Sequence, residues 1–406
     1  MSETQKHTKP NVPNLRFPGF EGEWEKHYLS EYLDFKNGLN PSAKSFGEGI
    51  KFISVMDILN NPFISYDCIR TSVAATDKEK KEFCVEYGDI LFQRSSETLE
   101  DVGHANVYLD NRPALFGGFT IRGKKRGDYN PLFFKYLLDS PTARKKVIVK
   151  GAGAQHFNVG QEGLSTVSLS FPSIPEQNKI ANLFSLIDER IAIQNRVIER
   201  YESLIKALVD KWMLKLLKGT TTRFEQLYVR AGEGGTPSTS ERTYYEGGVI
   251  PFVKIDDLSS MYLTGNKDYI TSAGLAKSSA WIIPKHSVIY SNGATIGAIS
   301  INTYPVTTKQ GILGIVPKNE ILTEYLYYMM RSSYFSREVQ RIITEGTMKT
   351  AYLKDINRII CPLPSREVQT RMVTGLLALS EKASIEKRTQ LLYTNLKRNL
   401  LACLFI

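Results

Sequence analysis

The chain has 406 residues, 42% of them hydrophobic and 23% charged, and a formal net charge of +10. That length predicts two or three domains, and no apolar run approaches the ~20 residues that a membrane span requires. The basic excess points to a polyanion as partner, nucleic acid before acidic lipid. Four scattered cysteines without metal-ligand or redox spacing fit a reducing, cytoplasmic setting.

In chain order, Met1 to Asn14 is polar and lacks the apolar stretch of a secretory signal, so residues 1–14 are expected to be a flexible tail. Residues 15–170 read as an α+β domain of short strands and Gly-rich loops. A strand is expected over 48–58 and another at Ile90-Leu91-Phe92. A flexible polar loop, Gln93 to Ser96, follows the second. A strand at 114–121 is interrupted by Gly117 and Gly118, and a short helix runs from Pro131 to Ser140.

From Glu176 to Lys218 there is no Pro or Gly. Apolar residues recur there in alternating steps of four and three: Ile180, Phe184, Ile187, Ile191, then Gln194, then Ile198, Tyr201, Ile205, Leu208 and Trp212. This is an a/d seam along one helix, residues 171–218, with charged faces on either side. At ~1.5 Å per residue the helix spans roughly 60 Å.

After a break at Gly219 to Thr222 the same order of elements returns. Gly248 to Leu258 echoes Gly49 to Ile58, and Lys285 to Tyr290 echoes Tyr87 to Phe92. One constant offset carries Phe133 onto Tyr325, Pro172 onto Pro364, Gln177 onto Gln369, Tyr201 onto Tyr393 and Leu204 onto Leu396. Residues 219–362 are therefore a second domain and 363–406 a second helix, with packing positions at Met372, Leu376, Leu379, Tyr393 and Leu400. Leu392 and Leu396 suggest that its apolar stripe drifts sideways. The fold class is α+β: two similar globular domains separated by two long antiparallel helices.

No motif specifies catalysis. Asn61-Pro62-Phe63 lacks the second Pro of an amino-methyltransferase loop. Gly118 to Lys124 resembles the start of a phosphate loop, but Lys125 stands where Ser or Thr must hold Mg²⁺. The five histidines have no metal-ligand spacing, so no metal site is expected. The sequence offers instead basic and polar residues on Gly-rich loops. In the first domain these are Arg94, Ser95, Ser96, Arg122, Lys124, Lys125, Arg126, Gln155 and His156. In the second they are Lys254, Asn292, Thr295, Lys309, Gln310, Lys349 and Thr350. Lys and Arg neutralise phosphates, while Arg, Gln, Asn and Ser also reach base edges. Each alone is an ordinary surface residue, and recurrence in both halves is what selects the set. An RNA-directed adaptor, an enzyme with a site across the two domains and a plain scaffold remain as competing readings.

The chain resembles the specificity subunits of type I restriction-modification systems over nearly its whole length. The carriers are Leu15-Arg16-Phe17-Pro18-Gly19-Phe20-Glu21-Gly22-Glu23-Trp24, Gly88-Asp89-Ile90-Leu91, Gly234-Gly235-Thr236-Pro237-Ser238-Thr239, and above all Pro172-Ser173-Ile174-Pro175-Glu176-Gln177. The second copy departs, with Val368-Gln369 in place of Glu-Gln. The resemblance implies a non-catalytic subunit whose two target-recognition domains each read half of a split, asymmetric site on double-stranded DNA. It implies a helical spacer that sets the gap and docks two modification subunits, adenine methyltransferases. S-adenosylmethionine would belong to those subunits, and ATP and Mg²⁺ to restriction subunits joined to them.

Overall fold

The computed structural model describes residues 11–153, 156–293, 295–343 and 349–406. The tail expectation for residues 1–10 and the candidate Gln155 lie outside the described residues. The chain divides into two compact units, one made of Met1–Asn195 with Arg388–Ile406 and the other of Arg196–Lys387. No helix among the described residues is long and apolar enough to cross a membrane.

The first unit contains β1 (Glu25–Tyr28), β2 (Leu33–Asn37), β3 (Phe46–Ile53), β4 (Ser72–Val73), β5 (Ile90–Gln93), β6 (Ser95–Ser96), β7 (Ala105–Val107), β8 (Leu115–Phe116), β9 (Thr120–Lys125), α1 (Pro131–Asp139), α2 (Pro141–Ile148), β10 (Phe157–Asn158), β11 (Ser168–Phe171) and the start of α3 (Ile174–Leu216). The second continues with β12 (Thr221–Arg223), β13 (Tyr228–Glu233), β14 (Ile250–Val253), β15 (Tyr262–Leu263), β16 (Asp268–Ile270), β17 (Val288–Ser291), β18 (Ile299–Asn302), β19 (Thr307–Thr308), β20 (Ile312–Pro317), α4 (Thr323–Arg331), α5 (Ser333–Ile342), β21 (Ile360–Pro362) and α6 (Arg366–Cys403).

The duplication extends to the strand pairings. The order β2-β9-β5-β7 recurs as β13-β20-β17-β18, β4-β3-β8 as β16-β14-β19, and β1-β11 as β12-β21. The rarer parallel pair recurs too, β3 with β8 and β14 with β19. A parallel bridge between Ile64 and Tyr108 stands where the second unit pairs β15 with β18. Asn130 caps α1 by accepting from Phe133 N at 2.9 Å, and Pro131 sits at the first helical position, where no N–H is needed. Ser140 and Ser332 cap α2 and α5 alike.

Two expected strands end early. Ser54 closes β3 by opening a helix at Val55–Asn60, where its N–H donates to Asp57 Oδ2 at 2.7 Å. Lys254 N does the same to Asp257 Oδ2 at 2.9 Å after β14. The capping carboxylate three residues on was the overlooked signal.

Gly88, at φ +91°, makes the sharp turn into β5. Asp89 then braces that turn, accepting from Glu86 N at 3.0 Å and Lys125 N at 2.8 Å. Burial holds its carboxyl above the usual range despite these two donors. In the second unit His286 occupies the Gly88 position with φ +63°. A left-handed non-Gly residue is strained, so His286→Gly is expected to stabilise the second unit by about 0.5–1 kcal/mol, read as a shifted denaturation midpoint.

α3 is one helix of 43 residues and α6 one of 38. Their segments run antiparallel in each unit. In the first, Phe184 stacks on Phe405 at 5.8 Å and Asp188 pairs with Lys397 at 2.6 Å. In the second, Glu202 pairs with Lys387 at 2.5 Å, and Val209 and Met213 share a core with Met372 and Leu376. Of the seam, Ile180, Phe184, Ile187, Met372 and Leu376 are buried, while Ile191, Ile198, Tyr201, Ile205, Leu208, Leu379, Tyr393 and Leu400 are half-buried. Two paired helices cover one stripe, and at Phe184 a domain core adds a further surface. Tyr136 supplies it against Phe184, with ring centroids 4.9 Å apart. Leu392 and Leu396 stay exposed.

The Pro-x-x-Pro-Glu-Gln turn is held in place by its glutamine. Gln177 is buried, accepts from Asn130 N at 3.0 Å and donates to Pro172 O at 3.0 Å. Gln369 accepts from Leu322 N at 2.8 Å and donates to Pro364 O at 3.0 Å. Each glutamine thus fastens the start of a long helix to the start of the short helix, α1 or α4, that opens on its own domain.

Candidate nucleic-acid interface

In the second unit the loops beyond β14, β17 and β19 meet at one end of the sheets. Lys309 N donates to Val253 O at 3.0 Å, Asn292 N to Gly311 O at 3.0 Å, and Ala351 N to Asn292 O at 2.9 Å. Gln310 N donates to Thr236 Oγ1 at 3.3 Å, which brings the Gly-Gly-Thr-Pro segment to the same end. Gly234 is required there, since a Cβ would stand 2.1 Å from the Thr308 carbonyl oxygen. Lys254, Asn292, Lys309, Gln310 and Thr350 therefore share one patch. Lys349 precedes Thr350 and is exposed, as are Lys309, Gln310 and Thr295.

Two members of the patch are engaged within the protein. Lys254 pairs with Asp268 at 2.9 Å. Asn292 is fully buried and donates through Nδ2 to Ala351 O at 3.1 Å, so it braces the loop that presents Lys349 and Thr350. Its Oδ1, like the neighbouring Ser291 hydroxyl, has no hydrogen-bond partner.

In the first unit the candidates fall into two places. Arg94 N donates to Phe119 O at 2.9 Å, Val159 N donates to Arg94 O at 2.9 Å, and the Arg94 guanidinium donates to Gly118 O at 3.3 Å. Ser95 and Ser96 form β6, paired with Phe157 and Asn158 of β10, and Ser95 Oγ is hydrogen-bonded to Asn158 Oδ1. The loop expected over Gln93 to Ser96 is thus held in a two-strand ladder, with exposed His156 beside it.

Lys124, Lys125 and Arg126 lie at the other end. β9 runs antiparallel to β5, with Thr120 opposite Gln93 and Gly123 opposite Ile90. The basic run is therefore about five residues, roughly 17 Å, from Arg94. Lys124 pairs there with Glu86 at 3.2 Å, Arg126 with Asp34 at 3.3 Å, and Lys125 lies over the Tyr129 ring at 5.0 Å. Arg122 is 7% exposed, donates to Cys84 O and lies over the Phe116 ring at 5.3 Å. Its guanidinium faces the interior.

Sequence reasoning passed over the counterpart of the Gly-Gly-Thr-Pro-Ser segment. Gly38-Leu39-Asn40-Pro41-Ser42 follows β2 as Gly234 to Ser238 follows β13. Gly38 N donates to Thr120 O at 3.2 Å and Leu39 N to Phe116 O at 2.9 Å, which places it at the Arg94 end. The shared Pro-Ser was the available signal. Phe119 and Asn158 were also missed.

The description "Type I restriction modification DNA specificity domain" is matched twice, by residues 21–203 and 229–392. The chain is 21% identical to the type I restriction enzyme HindI specificity subunit of Haemophilus influenzae, over 84% of this chain and 90% of that one. It is 32% identical to the type I restriction enzyme MjaIX specificity subunit of Methanocaldococcus jannaschii, over 35% of this chain and 34% of that one, so the match spans about a third of that relative. Among solved structures, the S subunit of the type I restriction-modification system from M. genitalium superposes with a TM-score of 0.58 at 16% identity, covering 97% of this chain and 99% of that one. With most of its length matched by two copies of the domain, the chain belongs to the family of type I restriction-modification DNA specificity domains.

Proposed function

We propose that this chain is the DNA-recognition subunit of a type I restriction-modification complex and itself carries no catalytic step. Each unit reads one half of a bipartite, asymmetric duplex site. The paired helices set the gap between the halves and dock two modification subunits that bring S-adenosylmethionine to an adenine. Restriction subunits using ATP and Mg²⁺ complete the assembly. The observation that carries this reading is the duplicated strand order with polar loops gathered at matching ends: Lys309, Gln310, Lys349 and Thr350 in one unit, and Arg94, Ser95 and His156 in the other.

Duplex binding by the assembled complex, titrated against salt, tests it. Neutralising a phosphate releases about one counterion, so Lys309→Ala is expected to lower the log–log salt slope by about one and to weaken all sequences alike. A slope near zero for the wild type would defeat the reading. Deleting one heptad from each helix shortens it by ~10 Å, about three base-pair steps, and is expected to change the permitted gap while leaving both half-site sequences intact. Methylation mapping distinguishes those outcomes.

A further inference from the structure

The Phe119 side chain is left outside the cores of the first unit. It is 71% exposed, and no other Phe, Tyr or Trp among the described residues is as open to water. Yet its backbone is closely held. Thr120 N donates to Gly117 O at 2.8 Å and Thr120 Oγ1 to the same oxygen at 2.6 Å, closing a tight turn around it. Arg94 N donates to Phe119 O at 2.9 Å, which ties the turn to the strand end. An apolar ring is thus presented to solvent on a fixed support, which a contact made elsewhere would explain.

Its surroundings indicate the contact. The Arg94 guanidinium lies against the preceding Gly118 carbonyl, Ser95 and Asn158 stand on the adjoining β6–β10 ladder, and exposed His156 precedes it. Arg, Ser and Asn are the side chains that reach base edges in the major groove. The apolar group on those edges is the 5-methyl of thymine, for which Phe is a suitable partner. No ring stands at the corresponding position of the second unit. The strand registers set Thr120 opposite Gln93 and Ile312 opposite Ser291, so Gly311 is the counterpart of Phe119.

Given the DNA-recognition reading on which it rests, we infer that Phe119 reads a pyrimidine 5-methyl group in the half-site bound by the first unit and so selects thymine over cytosine at one position. Burying one methyl group gives about a four-fold preference.

The test is selection from random duplexes by the assembled complex, followed by sequencing. The wild type is expected to enrich thymine at a position of one half-site. Phe119→Ala is expected to lose that preference alone, keeping the other half-site unchanged, while Phe119→Leu retains it. A library carrying uracil for thymine is expected to remove the wild-type preference there and leave Phe119→Ala unaffected at that position. 5-Methylcytosine is expected to be accepted like thymine. A Phe119→Ala motif identical to the wild type overturns the inference. So does a loss of the whole motif by an assembled complex, or increased 2-aminopurine fluorescence in a bound step without methyl dependence, which would mark an unstacking wedge. A wild-type complex that enriches no motif overturns the DNA-recognition reading itself.

Discussion

Arg16→Ala is expected to destabilise the first unit by roughly 3 kcal/mol, the lower end of what is lost when one partner of a buried ion pair is removed. The Arg16 guanidinium grips Glu176 through two 2.8 Å hydrogen bonds, Nε to Oε1 and Nη2 to Oε2. Glu176 is 1% exposed and Arg16 15%, so the carboxylate has little water to turn to when its partner goes. The same arginine donates to the carbonyls of Glu21 and Gly22, fixing the segment that leads to Trp24, whose ring meets Phe133 and Phe405 edge-on at 6.3 Å each. Denaturant titration should show the first unit's transition moving while the second unit's stays in place. Adding Glu176→Gln should recover part of the loss, because the stranded charge is gone. Equal shifts in both units, or no recovery, would refute this account of the motif. Val368 at the corresponding place in the second copy is apolar and can form no such ion pair.

Gln369→Ala is expected to cost about 2–4 kcal/mol in the second unit, with Gln177→Ala acting similarly in the first. The side chain is buried and serves three backbone groups: Leu322 N, Pro364 O and Glu320 O, the last at 3.1 Å. Truncation leaves a donor and two acceptors without partners where water has little access. Because the glutamine joins a long helix to its own domain, the loss should also loosen the domain on the helix. Hydrogen exchange is the appropriate measurement, with faster exchange expected at Leu322 and the first turn of α4. Unchanged protection there would show that the fastening lies elsewhere.

What could be read from the sequence was whatever depends on local period and on repetition. The long helix showed because nothing between Glu176 and Lys218 interrupts it. The duplication showed because one offset carries Gln177 onto Gln369 and Phe133 onto Tyr325, positions later found in equivalent packing. The candidate interface was only half legible, because side-chain type does not report strand register. Lys124 to Arg126 looks like part of a binding loop until β9 is set antiparallel to β5, which sends it to the far end. Arg122 looks like a surface cation until its guanidinium is seen bonding the Cys84 carbonyl. Ser95 and Ser96 look like a loop because their partner strand, Phe157–Asn158, is sixty residues away and only two residues long. Phe119 left no trace at all, since an exposed ring and a core ring are the same letter.

Mapping methylated adenines in a genome that expresses the complex tests the central claim most directly. The account predicts one motif of two unequal halves joined by a gap of unread bases, and predicts that Lys309→Ala combined with Gln310→Ala alters only one of those halves. A single continuous motif, or a simultaneous change in both halves, would contradict the assignment of one reader to each unit.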